Sequence, residues 1–503
     1  MTTPSHGTRG HGTRAQGVGQ PGFVARHGLL TAEQRAQAAE LAERISSADL
    51  RAVRLAVIDQ HGVPRAKSLS PEAAIAAMDD GLDFSGAIYS LDTGNNVFVP
   101  PFAPQGGFGI DEFTGFPDLM LVPDPATYKR LPWADRTGWM LCDVYFGNGR
   151  PVPIDGRGVL RGKLKDLADS GYDFVSGLEF EFYIVKNEEI VIKPDSAGFT
   201  PPPPRVSVFE RGYQYLSEVR LDSMSEILDE IADALTGLGY PPRSIEDEWG
   251  PGQVEITFAP MRGIDGADGA AIIRSAIKQV CQRRDLLATF MARPGLPNFC
   301  SSGWHLHTSL AERANGHNAF ADHATPLSKT GRAYVAGLLE HALASLLFAA
   351  PTVNGYKRFR PYSFAPDRVC WAVENRGALV RVQGAPNATS SHVELRSGEP
   401  AANPYLYMAS TLAAGLDGTR RGLEPPPPAE ADPYAAPAPP LAGSLAEAVA
   451  HLEKDHFFRT ELGDSIIDYF LLMKKAEIKR YEESGPSEDE VTDWEMREYF
   501  GVY

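Results

Sequence analysis

Cysteine is scarce in this 503-residue chain and unpaired in pattern: Cys142, Cys281, Cys300 and Cys370 form no Cys-x-x-Cys motif. That excludes a disulfide scaffold and a thiolate zinc site, and a reducing compartment is the simplest expectation. Positive charge is in deficit, with 48 Lys and Arg against 65 Asp and Glu and a net charge of −17. A nucleic-acid partner or an anionic-membrane surface is therefore not expected, and only local basic pockets remain open. No apolar run suits a membrane span, because the most hydrophobic stretch, 337–353, is interrupted by Glu340, His341 and Pro351. The opening MTTPSHGTRGHGTRAQG lacks the apolar core of a secretory signal, so the expected location is cytoplasmic. Hydrolase signatures are missing too: there is no GxSxG or HExxH. The segment GVLRGKL at 158–164 has one residue too few between its glycines for a phosphate loop and reads as the start of a helix. What remains, 43% hydrophobic and 22% charged, is ordinary globular composition.

Residues 1–28 carry HGTR twice in a Gly-rich context that cannot bury a core, and they read as a disordered arm. Thr31-Ala32-Glu33-Gln34 is a helix-capping pattern. Residues 29–150 then read as that helix followed by a small mixed domain, with Val53, Leu55 and Val57 alternating before an Asp59-Gln60-His61-Gly62 turn. Residues 151–503 form a catalytic-size domain. Amphipathic helices are predicted after Asp155 and over 221–238, 272–291 and 466–481, with a capping box at Ser444–Glu447 and proline-rich loops at 201–204 and 425–428. Strands and helices do not alternate as in a doubly wound sheet, so the class is α+β.

Four strand-like segments place polar groups on one face. In 178–184, Glu179 and Glu181 oppose Leu178, Phe180, Phe182 and Ile184; in 253–258, Gln253, Glu255 and Thr257 oppose Val254, Ile256 and Phe258. His305, His307 and Ser309 share a face, as do His392, Glu394 and Arg396. Any one of these is an amphipathic strand with a wet face. Together they assemble an acidic face that repels itself unless a cation sits in it. Glu179, Glu181, Glu248, Glu255 and Glu394 with His305 suit Mg²⁺ or Mn²⁺ better than a structural zinc. Lys357, Arg358, Arg360, Arg376, Arg381 and Arg396 lie close in sequence to Glu394. They read either as surface ion pairs or as clamps for carboxylate and phosphate oxygens. Carboxylates, a divalent metal and phosphate clamps point to phosphoryl transfer.

GLEFEFYIV (177–185), EWGPGQVE (248–255), SGWHLHTSL (302–310), NGYKRFRP (354–361), NRGALVRV (375–382) and HVELRSGEPAANPYL (392–406) together resemble, in order, the motifs of the glutamine synthetases and related glutamate–amine ligases. DQHGVPRAK (59–67) resembles the first hairpin of that family's N-terminal β-grasp domain. The resemblance implies a small β-grasp domain and a large catalytic domain with a curved antiparallel sheet flanked by helices. It implies two or three Mg²⁺ or Mn²⁺ ions per site and ATP as co-substrate. Glu181, Glu248 and Glu255 are expected to hold one metal, and Glu179, His305 and Glu394 the other. His307 and Ser309 are expected on the nucleotide, Arg376 and Arg381 on its phosphates, and Arg358, Arg396 and Ser301 on glutamate. The implied assembly is a homo-oligomer with sites completed by a neighbouring subunit, in the form of a dodecamer of two hexameric rings.

Two departures bear on the amine. Where the family's ammonium-using members place a glutamate after the KRLxP motif, this chain has Phe364. Where they place an aspartate in the N-terminal domain, it has Ser85. Losing both carboxylates removes the groups that hold ammonium and take its proton. The expected activity is thus ATP-dependent ligation of glutamate to a primary amine, apolar or aromatic, such as aniline or an alkylamine, through a γ-glutamyl phosphate. The alternatives are a γ-glutamylpolyamine or γ-glutamylethanolamide synthetase, an ordinary glutamine synthetase, or an inert structural or regulatory family member. The last conflicts with retention of a self-repelling acidic face.

Overall fold

The computed structural model describes residues 21–503 apart from 213, 430 and 488. The sequence ends a disordered arm at residue 28, but residues 21–28 are folded. Phe23–His27 is a short helix closed by Gly28 in the left-handed region (φ +62°), and Phe23 and Val24 bury against Leu30 and Val122. Two apolar side chains in five residues are enough to seat the turn on the first sheet; residues 1–20 lie outside the described residues. The Thr31 cap forms in full, with Thr31 and Gln34 exchanging side-chain hydrogen bonds at the start of Ala32–Ser47.

A six-stranded sheet follows. Ala52–Ile58 and Pro64–Leu69 make a hairpin whose turn is tied by Asp59 accepting from the N–H groups of His61 and Val63, each at 2.9 Å. Thr137–Tyr145 runs parallel to the first strand, and Asp118–Pro123 and Leu82–Ser85 continue the sheet antiparallel. Pro71–Asp80, capped by Ser70, is the helix that packs on it. This is the layout of a β-grasp unit.

The second sheet has ten strands built around one long strand, Tyr172–Asn187, which pairs directly with five others. It is antiparallel except at one edge, where Trp371–Val373 lies parallel to Val380–Gln383. Its inner face, with Leu178, Phe180, Phe182, Val254, Ile256, Leu306 and Val393, is buried against helices including Asp265–Gln282 and Pro404–Arg421. The other face carries the polar residues.

Three helix predictions need correction. The helix expected over 221–238 is two, Glu218–Ser223 and Ser225–Gly237, broken at Met224, where the Ser223 hydroxyl turns back to the Arg220 carbonyl at 2.7 Å. The one expected over 272–291 spans Asp265–Gln282. Asp285 then adopts φ +55°, and Leu286–Thr289 joins the long strand as an edge partner. Its apolar residues satisfy the open edge of Tyr183–Lys186 instead of prolonging the helix. At Leu445–Lys454 only half of the capping box exists: Ser444 accepts from Glu447 N–H, while the Glu447 carboxylate accepts from Gly443 N–H. The helix predicted over 466–481 is Asp464–Glu483. Among the described residues, no helix is long and apolar enough to cross a membrane.

Candidate active site

The register of the large sheet sets the site. Glu255 lies opposite Glu181, Thr257 and His305 lie on either side of Glu179, and Glu394 lies between His307 and Arg381. With side chains alternating along every strand, that register lines up acids, histidines and an arginine across one face. At Gly303, before the histidine strand Trp304–Glu312, a Cβ would lie 2.8 Å from Arg358 Nη2 and 3.0 Å from His305 Nε2, so a larger residue would push two site side chains out of place.

Two cavities open on this face. The larger, about 950 Å³, is lined by Glu179, Glu181, Glu248, Glu255, His305 and Ser301, and also by Arg358, Arg376, Arg381, Arg396 and Phe364. The smaller, about 570 Å³, is lined by His307, Ser309 and His392. They share Glu179, Glu246, Thr257 and Gln383 and so meet at the edge of the acidic floor; Glu181, Glu248 and Glu255 line the larger alone, and Glu394 lines neither. Ser85 lines neither; it ends a strand of the first sheet, and its hydroxyl accepts from Ala87 N–H. Arg376 and Arg381 line the larger cavity and not the smaller one that His307 and Ser309 line.

Charge in the floor is unevenly matched. His305 and His307 both hydrogen-bond Glu179, and Arg381 (3.1 Å) and Arg396 both pair with Glu394. Burial opposes ionisation of Glu179, but the two histidines hold it well below the usual carboxylate range; Arg396 and His305 hold Glu394 down against burial in the same way. The other three acids go up. Burial and the Glu248 charge push Glu181 up to about 8, and burial pushes Glu248 up to about 7. Burial with the charges of Glu179, Glu181 and Glu248 pushes Glu255 up to about 11.

Such a set ionises together only around a cation. Glu179, His305 and Glu394 offer ligand atoms within 4.8 Å of one another, and so do Glu181, Glu255 and His305, so both groups could hold a metal ion. Glu248 shares the cavity without joining either group, and its Oε2 accepts from Trp249 N–H at 3.2 Å. A third cluster, Glu340, His341 and Asp417, is already balanced by Arg421, which bonds both carboxylates at 2.7 Å.

Sequence reasoning passes over Gln253 as a site residue. Its amide nitrogen donates to Glu181 (3.2 Å), the Ser301 carbonyl (3.0 Å) and the Ser302 hydroxyl (3.1 Å), and its oxygen accepts from Gly250 N–H (2.9 Å). It pins the turn after Glu248 to the strand below. Trp249 and Tyr215 are passed over too. Both line the larger cavity, and a single tryptophan or tyrosine in a loop carries no sequence signal beyond its proximity to Glu248.

The family model for the glutamine synthetase catalytic domain matches residues 153–499. A γ-glutamylanilide synthase of Acinetobacter sp. is 42% identical over 494 residues, covering 95% of this chain and 99% of that protein. A glutamine synthetase of Methanococcus voltae is 31% identical over 476 residues, covering 92% and 98%. Among solved structures, a GmaS/ADP complex superposes with a TM-score of 0.75 at 29% identity, covering 91% of this chain and 98% of that one. With its acidic sheet face, its collinear motifs and these matches over nearly the whole length, the chain belongs to the glutamine synthetase family.

Proposed function

We propose that the protein is an ATP-dependent, cytoplasmic ligase that joins the γ-carboxylate of glutamate to an apolar or aromatic primary amine. The observation that carries this reading is Phe364, an aromatic ring in the same cavity as the carboxylate floor and the buried Arg358 and Arg396. The 42% identity to an anilide synthase, against 31% to a glutamine synthetase, supports the same choice.

Glu181, Glu248 and Glu255 would hold one Mg²⁺ or Mn²⁺, and Glu179, His305 and Glu394 a second; Gln253 fixes Glu181, and His307 fixes Glu179. Bound there, such ions supply positive charge to phosphate oxygens. Arg358, Arg396 and Ser301 hold glutamate, and His307 and Ser309 orient the nucleotide. Arg376 and Arg381 face the phosphates from the larger cavity. In the first step a γ-carboxylate oxygen bonds to the terminal phosphorus of ATP, and the bond to ADP breaks. In the second the amine nitrogen bonds to the acyl carbon, phosphate leaves with the C–O electron pair, and the surplus N–H proton passes to phosphate or water. The position of Ser85 on the other sheet fits a homo-oligomer, with a dodecamer as the leading form, in which a neighbour completes each site.

Glutamate-dependent phosphate release from ATP across ammonium, aniline, isopropylamine, ethanolamine and putrescine tests the reading, with amides identified by mass. Aniline or isopropylamine turns over well and ammonium poorly. Preference for ammonium would return the protein to ordinary glutamine synthesis, and preference for putrescine or ethanolamine would keep the ligase and remove the apolar amine.

A further inference from the structure

Three exposed aromatic rings form a row at the larger cavity. Tyr215 and Trp249 stack almost parallel, with centroids 5.2 Å apart and planes 8° from each other; Trp249 and Phe364 follow at 6.3 Å and 25°. Their relative exposures are 44%, 50% and 63%, and all three line the cavity of the acidic floor. Other exposed aromatics, Phe102, Phe199 and Tyr362, line neither cavity, whereas these three come from separate loops and stack together on one. The backbone is also held out of its ordinary range to place them: Phe364 has φ +62°, and Leu216, next to Tyr215, has φ +56°.

The row is tied to the site at its middle and at its Phe364 end. Trp249 N–H donates to the Glu248 carboxylate at 3.2 Å, and Arg396 donates to the Phe364 carbonyl at 3.2 Å. The rings thus stand between a carboxylate assigned to the metal and a guanidinium assigned to glutamate, where the amine must reach the activated acyl carbon. Arg360, Arg376 and Arg396 border the same cavity and repel an ammonium ion.

We propose, resting on the ligase reading, that Trp249 and Tyr215 together with Phe364 are the specificity-determining surface for the amine, and that the amine class is a primary arylamine. A flat arene gains from offset contact with these ring faces, which a saturated ring cannot match. An arylamine is also uncharged near neutral pH, so its nitrogen needs no carboxylate to hold a cation or strip a proton before attack. Neither Phe364 nor Ser85 offers one.

The test compares kcat/KM for aniline, cyclohexylamine and ammonium in the wild type, Trp249→Ala, Trp249→Phe and Tyr215→Ala. Cyclohexylamine matches aniline in size but is saturated and charged. The wild type favours aniline by about tenfold or more, and Trp249→Ala loses about tenfold on aniline through amine KM, as expected for one lost aromatic contact. Trp249→Phe restores most of that loss, Tyr215→Ala loses less, and KM for ATP and glutamate stays put. Cyclohexylamine matching aniline in the wild type, or aniline turnover unchanged in both alanine variants, overturns the proposal. So does an equal loss with ammonium and aniline, which would mark the rings as supports of the metal floor. Wild-type silence with every amine would instead sink the ligase reading, and this inference with it.

Discussion

Two of the molecule's buried clusters of charge are built on opposite terms. At the junction of the two sheets Arg157 binds Asp268 through two nitrogens (3.0 and 2.8 Å), Asp124 (2.8 Å) and Asp143 (2.5 Å), and Arg161 reaches Asp124 as well. Burial opposes ionisation of Asp124, yet the two arginines hold it below its usual range. In the active-site floor, Glu181, Glu248 and Glu255 have no lysine or arginine ion pair among the described residues and are pushed up instead. In the junction the acids have their cation in the chain and tie the fold together, whereas Glu181, Glu248 and Glu255, left without one, are open to a ligand's cation. Composition cannot tell the two apart, but pairing can.

The largest expected effect breaks the junction. Arg157→Leu leaves Asp268 with its Tyr405 hydrogen bond (2.7 Å) and leaves Asp124 and Asp143 to the half-exposed Arg161. Removing one side of a buried ion network costs about 3–5 kcal/mol, so urea unfolding should show a loss of that order. A loss within experimental error would mean that the junction is solvated and the contrast with the floor is false.

Next, Glu255→Gln sharpens the contrast from the other side. It removes a carboxyl that three neighbouring acids already resist, so unfolding without added metal should shift by less than about 1 kcal/mol. Phosphate release should nevertheless fall about 100-fold or more, equivalent to about 2.7 kcal/mol on the barrier. The rise in Tm on adding Mn²⁺ should shrink as well. Full activity, or an undiminished Mn²⁺ shift, would take Glu255 out of the metal set.

How far the sequence anticipates all this depends on the range of the interaction. The paired glutamates and the histidine strand are legible because alternation along a strand is local: Leu178, Phe180 and Phe182 mark one face, and Glu179 and Glu181 must take the other. The facing of Glu255 to Glu181 and of His305 to Glu179 is legible only through the family's motifs, since register between strands seventy or more residues apart leaves no local mark. Boundaries fail where a nonlocal partner intervenes. Leu286–Thr289 reads as the end of a helix until the edge of the long strand claims it, and Phe23 reads as part of a tail until Val122 covers it. Trp249 is invisible for a related reason: one exposed tryptophan gains meaning only when Tyr215 and Phe364, from distant loops, are seen beside it.

The smallest effect concerns the carboxyl that blurs the contrast. Asp155 caps Gly156–Asp169 by accepting from Gly158 N–H at 2.9 Å, yet it belongs to the junction, where burial and then the Asp143 charge push it up to about 7. It is the junction's surplus acid. Because its folded-state pKa lies above the ordinary aspartate value of about 4, the native protein keeps a proton that the unfolded chain releases. Stability therefore declines as pH rises from about 4 through about 7. Lys278 and Glu399 are also placed near 7, so a single pH profile mixes several groups, and a comparison with Asp155→Asn isolates this one. Asparagine caps a helix as well as aspartate does and carries no charge. The variant should therefore gain about 1–3 kcal/mol more over wild type at pH 8 than at pH 5. Equal differences at the two pH values would show that Arg157 and Arg161 balance Asp155 too, making the junction fully paired and its contrast with the floor complete.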